Sequence, residues 1–139
     1  MEPNHSPEFT EHFAHPRNVG TLDGQSERVG TGTATVSECG DVMRLQIELG
    51  PDGRIARAVF KTFGCSAAIA AGSVTTEWLK GRSIEEARQF SGEYVTRRLS
   101  FGPDKQHSSF LAENAVRDAL ADYERGSSAD KAGLAAAGG

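Results

Sequence analysis

Met43-Arg44-Leu45-Gln46-Ile47-Glu48-Leu49, followed at once by Gly50-Pro51-Asp52-Gly53, decides the fold. Apolar side chains at 43, 45, 47 and 49 alternate with Arg44, Gln46 and Glu48. Period two with one apolar face is the pattern of a half-buried strand. The Pro-Asp-Gly cluster then turns the chain back. The return strand runs from about Arg54 to Thr62, with Ala56, Ala58 and Phe60 expected on one face. Upstream, Gly32, Ala34 and Val36 alternate with threonines, giving a third strand before the Cys39-Gly40-Asp41 break. Three consecutive strands with short connections form an antiparallel meander.

Such a sheet needs a cover for its apolar face, and the period changes to supply one. From Ser66, Ala67, Ala70, Val74 and Trp78 follow one course around a helix, while Ile69, Ser73, Thr76 and Lys80 follow another. Gly81 ends that helix. Its small residues permit close approach to the sheet. Ser83-Ile84-Glu85-Glu86 fits a capping box that opens a short helix, and Glu93 to Leu99 is a further short one. A last helix is expected from Ser108 or Ser109, with Leu111, Ala115, Ala119 and Tyr123 at i,i+4 spacing. Near the start, Phe9 and Phe13 at i,i+4 suit a helix over Glu8 to Ala14 that docks both rings. The expected fold class is α+β: a three-stranded antiparallel sheet packed against a helical layer. Residues 1-7 are expected to be a flexible N-terminal arm, 8-125 one folded domain, and 126-139 a disordered tail.

Bulk composition narrows the function classes. The chain has 139 residues, a formal net charge of -4 and 37% hydrophobic content. A domain of that size buries a useful but modest core. The acidic balance argues against nucleic acid, which needs a concentrated positive surface. No apolar run approaches the ~18 residues of a membrane span, so no membrane partner is expected. The polar Met1 to Ser6 lacks a signal-peptide core, and a cytoplasmic location is the expectation. In that compartment the two cysteines read as free thiols or metal thiolates rather than a disulfide.

Those cysteines carry the chemistry. Cys39 and Asp41 flank Gly40 before a strand. Cys65 follows Gly64 before a helix, where backbone N–H groups favour an anionic thiolate. His107 precedes the last helix. All four fall at element ends, where irregular backbone can gather ligands around one point. Each has a plainer reading as well: a free cysteine is commonly a small buried hydrophobe, Asp41 suits a strand start, and His107 suits a cap. The spacing is not the Cys-x-x-Cys of a zinc finger. His5, His12 and His15 are expected at the surface. A Cys65–His107 nucleophile and base with Asp41 as orienter is a third possibility, but it leaves Cys39 without a task. No Gly-x-Ser-x-Gly or His-Glu-x-x-His motif occurs.

Longer stretches add a resemblance. These are His12-Phe13-Ala14-His15-Pro16-Arg17-Asn18-Val19-Gly20, Cys39-Gly40-Asp41-Val42-Met43-Arg44-Leu45-Gln46-Ile47, Phe60-Lys61-Thr62-Phe63-Gly64-Cys65, Thr76-Glu77-Trp78-Leu79-Lys80-Gly81 and Leu111-Ala112-Glu113-Asn114-Ala115. Over about residues 8-125 the chain resembles IscU-type iron–sulfur cluster assembly scaffolds, which share the fold of the NifU N-terminal domain. The resemblance implies that Cys39, Cys65 and a cysteine just after His107 are cluster thiolates. It implies that Asp41 tunes cluster lability, that His107 is an alternative or additional ligand, and that Lys105 sits beside the site.

It further implies a non-enzymatic scaffold. Such a protein receives sulfur from a cysteine desulfurase, binds iron, builds a [2Fe-2S] cluster and passes it to acceptor proteins. Zinc occupies the site in cluster-free members. Oligomeric state is open between a monomer and a cluster-bridged assembly. Two departures modify the expectation. Ser108 stands where the third cysteine belongs, and a hydroxyl cannot carry a persulfide, so sulfur acceptance is expected to be impaired unless Cys39 or Cys65 takes it over. Only Pro103 and Lys105 match the Leu-Pro-Pro-Val-Lys segment read by a dedicated Hsp70-type chaperone, so standard recognition by that partner is doubted. The other reading is a divergent zinc-binding interaction or regulatory protein on the same fold.

Overall fold

A computed structural model describes residues 7–23, 28–36 and 40–136, with side chains of the last helix described as far as Arg125. Helix α1 spans Pro7–Ala14, followed by strands β1 (Val29–Val36), β2 (Asp41–Leu49) and β3 (Ile55–Phe63). Helices α2 (Ser66–Leu79), α3 (Ile84–Ala87) and α4 (Gly92–Leu99) come next, and a 3₁₀ turn at Pro103–Lys105 leads into α5 (Gln106–Ala136). The strands form one antiparallel sheet in the order β1-β2-β3. This is the α+β meander with a helical layer that the alternation at 43–49 predicts.

Register explains which side chains face the helices. Gly32 pairs with Leu45 and Ala34 with Met43 across β1 and β2, while Leu45 pairs with Phe60 and Ile47 with Ala58 across β2 and β3. Met43, Leu45, Ile47, Ala58 and Phe60 are all buried. Ala56 departs from the expected inward face. Glu48 pairs with Arg57 but Leu49 pairs with Ile55, so Ala56 is the extra residue of a bulge. A bulge turns the strand at that point, and Ile55 takes the buried place while Ala56 is exposed.

Helix α2 is buried on nearly every side, including the course of Ser73 and Thr76 that the sequence pattern left mixed. A helix apolar or small all round belongs in the interior. Here it lies against β3, α1, α4 and α5. Gly72 makes the approach to the sheet possible, since a Cβ there would stand 2.4 Å from the Phe60 ring. Gly81, at φ 85°, closes the helix as expected. The Ser83 capping box is formed in both directions: Glu86 N–H donates to Ser83 Oγ at 3.2 Å, and Ser83 N–H donates to Glu86 Oε1 at 3.0 Å.

Helix α5 seats on the small residues of β1. A Cβ on Gly32 would lie 2.3 Å from both the Ala115 oxygen and the Ala119 nitrogen, and one on Gly30 would lie 2.4 Å from the Ala119 oxygen. Two carboxylates of the same helix reach the strand: Asp122 accepts from Thr31 N–H at 2.8 Å and Asp118 from Thr33 N–H at 2.9 Å. An outer strand whose N–H groups are occupied is a poor template for further pairing. The helix starts two residues before the expected Ser108, because the 3₁₀ turn at Pro103 runs directly into it. Its backbone stays helical through Ala136, across residues the sequence reading left in the tail.

Helix α1 docks differently from its i,i+4 pattern. Phe9 is buried and meets Phe101 edge-on, with ring centroids 5.6 Å apart. Phe13 is 46% exposed, and His12 is buried in its place, against the expectation of a surface histidine. The reason is polar. Ser73 Oγ accepts the Arg17 N–H at 2.9 Å and lies 2.7 Å from His12 Nδ1, while His12 Nε2 faces Glu77 at 3.7 Å. A neutral ring with its hydrogen on Nε2 would face the carboxylate with that N–H and leave Nδ1 to accept from Ser73 Oγ.

Burial holds His12 below the usual histidine range; Glu77 pulls the other way, and Arg17 adds to the lowering. A lowered folded pKa makes this group's contribution complete above about pH 6.5, the unfolded value. It is lost as pH falls from there through the folded pKa, because the unfolded chain takes the proton first. The urea-denaturation stability gap between the parent and His12→Gln is therefore expected to be larger at pH 8 than at pH 5.5. A gap independent of pH contradicts this role.

Candidate metal centre

Three element ends meet at one end of the sheet. Asp41 opens β2 opposite Val36, preceded by Gly40 in the left-handed region at φ 71°. Only glycine adopts that conformation without a Cβ penalty. Cys65 is the residue just before α2, with extended backbone at φ -79° and ψ 173°. His107 lies in the first turn of α5 rather than ahead of it. The fourth expected ligand, Cys39, lies outside the described residues.

The three described groups converge through one atom each. Cys65 Sγ is 3.5 Å from Asp41 Oδ2 and 3.8 Å from His107 Nε2. His107 Nε2 is 3.5 Å from the same Asp41 Oδ2. A tetrahedral ion with bonds of about 2.0–2.3 Å needs donor–donor edges of about 3.3–3.8 Å. The triangle has those edges. Its donors are one sulfur, one imidazole nitrogen and one carboxylate oxygen, a set that suits zinc or iron. Asp41 is buried, His107 half-buried and Cys65 exposed, so the cluster opens to solvent on the sulfur side.

The same geometry weighs against a nucleophile–base relay. In a relay the histidine uses one nitrogen toward the nucleophile and the other toward the orienting carboxylate. Here Nε2 alone faces both partners, which is how ligands converge on a shared ion.

Gly64 has a role that its turn-like setting in the sequence does not reveal. Its φ is not positive, so the backbone does not require glycine. A Cβ would instead stand 2.7 Å from Asp41 Cγ and Oδ1. The missing side chain is the space the carboxylate occupies. Ser108 is also part of the site: it is fully buried, with its Oγ 3.8 Å from Cys65 Sγ. Lys105 closes the 3₁₀ turn two residues before His107.

Two large apolar side chains face water on this side of the sheet. Phe63, two residues before Cys65, is 80% exposed and Val19 is 54% exposed. With Pro16, Phe60 and Ile69 they line a hollow of about 390 Å³. The sequence reading missed this exposed apolar hollow, since Phe63 falls on a strand and gives no sign of facing water. Neither this hollow nor a larger one of about 550 Å³, lined by Arg54, Trp78, Arg82 and Arg98 among others, includes any of the three donors in its lining. Among the described residues, no helix is long and apolar enough to cross a membrane.

Comparison with known proteins places the chain in a family. The model of the NifU-like N terminal domain matches residues 4–130. The iron–sulfur cluster assembly scaffold protein IscU of Rickettsia prowazekii is 48% identical over 121 residues, covering 87% of this chain and 92% of its own length. A Drosophila melanogaster protein named iron–sulfur cluster assembly enzyme IscU is 50% identical over 114 residues, covering 82% of this chain and 74% of its own. Among solved structures, the N-terminal part of a NifU-like protein from Brucella abortus superposes with a TM-score of 0.69 over 86% of this chain and 94% of that one. At 17% identity this likeness speaks for the fold alone.

Filling the space beside Asp41 tests the centre directly. Gly64→Ala is expected to weaken Co²⁺ or Zn²⁺ binding by about tenfold or more, measured by competition titration, with the far-ultraviolet spectrum unchanged. Unaltered affinity contradicts a role for the Asp41 carboxylate.

Proposed function

The chain belongs to the family of NifU-like N-terminal domains, and from that membership and its donor set we propose that it is an iron–sulfur cluster assembly scaffold or carrier. The observation that carries the proposal is the triangle of Asp41 Oδ2, Cys65 Sγ and His107 Nε2 with tetrahedral edge lengths. Iron or a [2Fe-2S] cluster is the cargo rather than a resident cofactor. Asp41, Cys65 and His107 hold it, with Cys39 as the fourth donor. Mixed nitrogen and sulfur ligation is chemically sound for such clusters. Zinc fills the same positions when no cluster is present.

Each donor has a distinct task. Cys65 supplies the soft anionic sulfur that iron prefers. Asp41 is a hard, exchangeable oxygen, and an oxygen ligand on a cluster otherwise held by softer donors is the position at which cargo leaves most readily. His107 supplies an imidazole nitrogen, a donor that suits zinc and iron alike. The role proposed for these groups is to hold and deliver cargo rather than to turn over a substrate.

The partners follow from the cargo. Sulfur must arrive from a donor, for which a cysteine desulfurase is the proposed source, and the finished cluster must leave to acceptor proteins. The neutral hydroxyl of Ser108 cannot bind a sulfane sulfur, so Cys65 or Cys39 is the proposed landing place. Lys105, two residues from His107, is proposed to lie beside the cargo. Recognition by a dedicated Hsp70-type chaperone is not part of the proposal. Monomer and cluster-bridged oligomer both suit a site open on its sulfur side. The proposed compartment is the cytoplasm.

A second reading, a zinc-binding interaction or regulatory protein, draws on the same triangle, because its edges suit a single ion as well as a cluster iron. Anaerobic reconstitution with iron and sulfide separates the two. The scaffold reading expects the absorption and Mössbauer signature of a [2Fe-2S] cluster, transfer of that cluster to an apo-ferredoxin, and loss of both in Cys65→Ala. Stoichiometric zinc with no cluster uptake overturns it in favour of the second reading.

A further inference from the structure

Ser108 is the buried polar group beside the donors that the triangle itself does not use. Its Oγ is enclosed and lies 3.8 Å from Cys65 Sγ. Buried hydroxyls are hydrogen-bonded in folded proteins. In the metal-free protein the Cys65 thiol can donate its proton to Asp41 Oδ2, 3.5 Å away. Metal binding changes that arrangement. A ligating thiol must lose its proton, and the sulfur is then an acceptor only. The Ser108 hydroxyl is left as the donor of the pair.

Resting on the scaffold reading above, we propose that Ser108 is a positioning residue for the cargo-binding sulfur: it does not ligate, but donates its O–H to the Cys65 thiolate and sets how strongly that sulfur binds and donates electrons. Three features support it. The hydroxyl sits on the rigid first turn of α5, the element that also presents His107, so the two groups reach the sulfur as a unit. The hydroxyl is shielded from water, which keeps the bond from being exchanged for a solvent contact. A neutral hydroxyl is also a weak ligand for iron or zinc beside a thiolate and an imidazole.

The consequence has a definite sign. Hydrogen bonds to ligand sulfurs draw charge off the sulfur and raise the reduction potential of the bound centre. The same withdrawal moves sulfur-to-metal charge transfer to shorter wavelength. Cys65 is therefore held as a moderated donor, suited to releasing cargo.

The test compares the full-length protein with Ser108→Ala and Ser108→Cys. Co²⁺ alone is the first probe and a reconstituted [2Fe-2S] cluster the second. Ser108→Ala is expected to bind one equivalent of Co²⁺ with charge-transfer bands at longer wavelength, and to lower the reduction potential of the cluster. Ser108→Cys, which restores a sulfur at the same place, is expected to add charge-transfer intensity as a further thiolate ligand. If Ser108→Ala binds Co²⁺ with unshifted bands and an unshifted potential, the proposal is overturned. It is equally overturned if the folded Ser108→Ala loses Co²⁺ altogether, because the hydroxyl is then a ligand. Failure of the parent protein to take up either probe strikes the scaffold reading instead.

Discussion

The seating of α5 on β1 is the constraint on which the site depends. A helix backbone reaches a strand this closely only over residues without side chains. Gly30 and Gly32 provide that strip, and a Cβ on Gly32 would stand 2.3 Å from the helix backbone. Asp118 and Asp122 then bind the strand N–H groups and fix the helix along its length. With the middle of α5 fixed on β1, its first turn reaches the end of the sheet where β2 begins and β3 leads into α2. His107 and Ser108 arrive there as a consequence of packing some distance away. Close-packed interiors transmit such placement with little slack.

The site itself balances burial against access. Asp41 is enclosed in the space left by Gly64, whereas Cys65 faces water. A buried carboxylate beside two further donors is costly unless a cation or a hydrogen-bond donor shares the pocket. The Cys65 thiol and the His107 ring lie within reach of that role, and under the proposed function a bound cation would take it over. The three donors are thus preformed, with the sulfur the one that faces water.

Much of this was legible in the sequence, and the reasons are physical. Strict alternation over 43–49 left no choice for β2, and the Pro51-Asp52-Gly53 turn made β3 its neighbour. Ser83 and Glu86 announced a capping box that formed as written. The convergence of Asp41, Cys65 and His107 is what chemistry-bearing residues at element ends allow, and it was expected on that ground. The rest depended on contacts distant in sequence. The bulge that turns Ala56 outward depends on the pairing of Leu49 with Ile55. His12 displaces Phe13 from the interior because Ser73, 61 residues away, offers it a hydrogen bond. The helical backbone through Ala136 has no core-forming stripe to announce it. Gly64 read as a turn residue, because no local pattern shows that a carboxylate 23 positions earlier needs its empty side.

The central claim is that one ion can sit at the common point of Asp41, Cys65 and His107. Zinc-edge anomalous diffraction from crystals of the zinc-loaded protein tests it most directly. The account predicts a single peak with Cys65 Sγ at about 2.3 Å, His107 Nε2 at about 2.0–2.1 Å and an Asp41 oxygen at about 2.0–2.2 Å. A peak elsewhere on the molecule, or one at this site that leaves Asp41 and His107 beyond bonding distance, contradicts it.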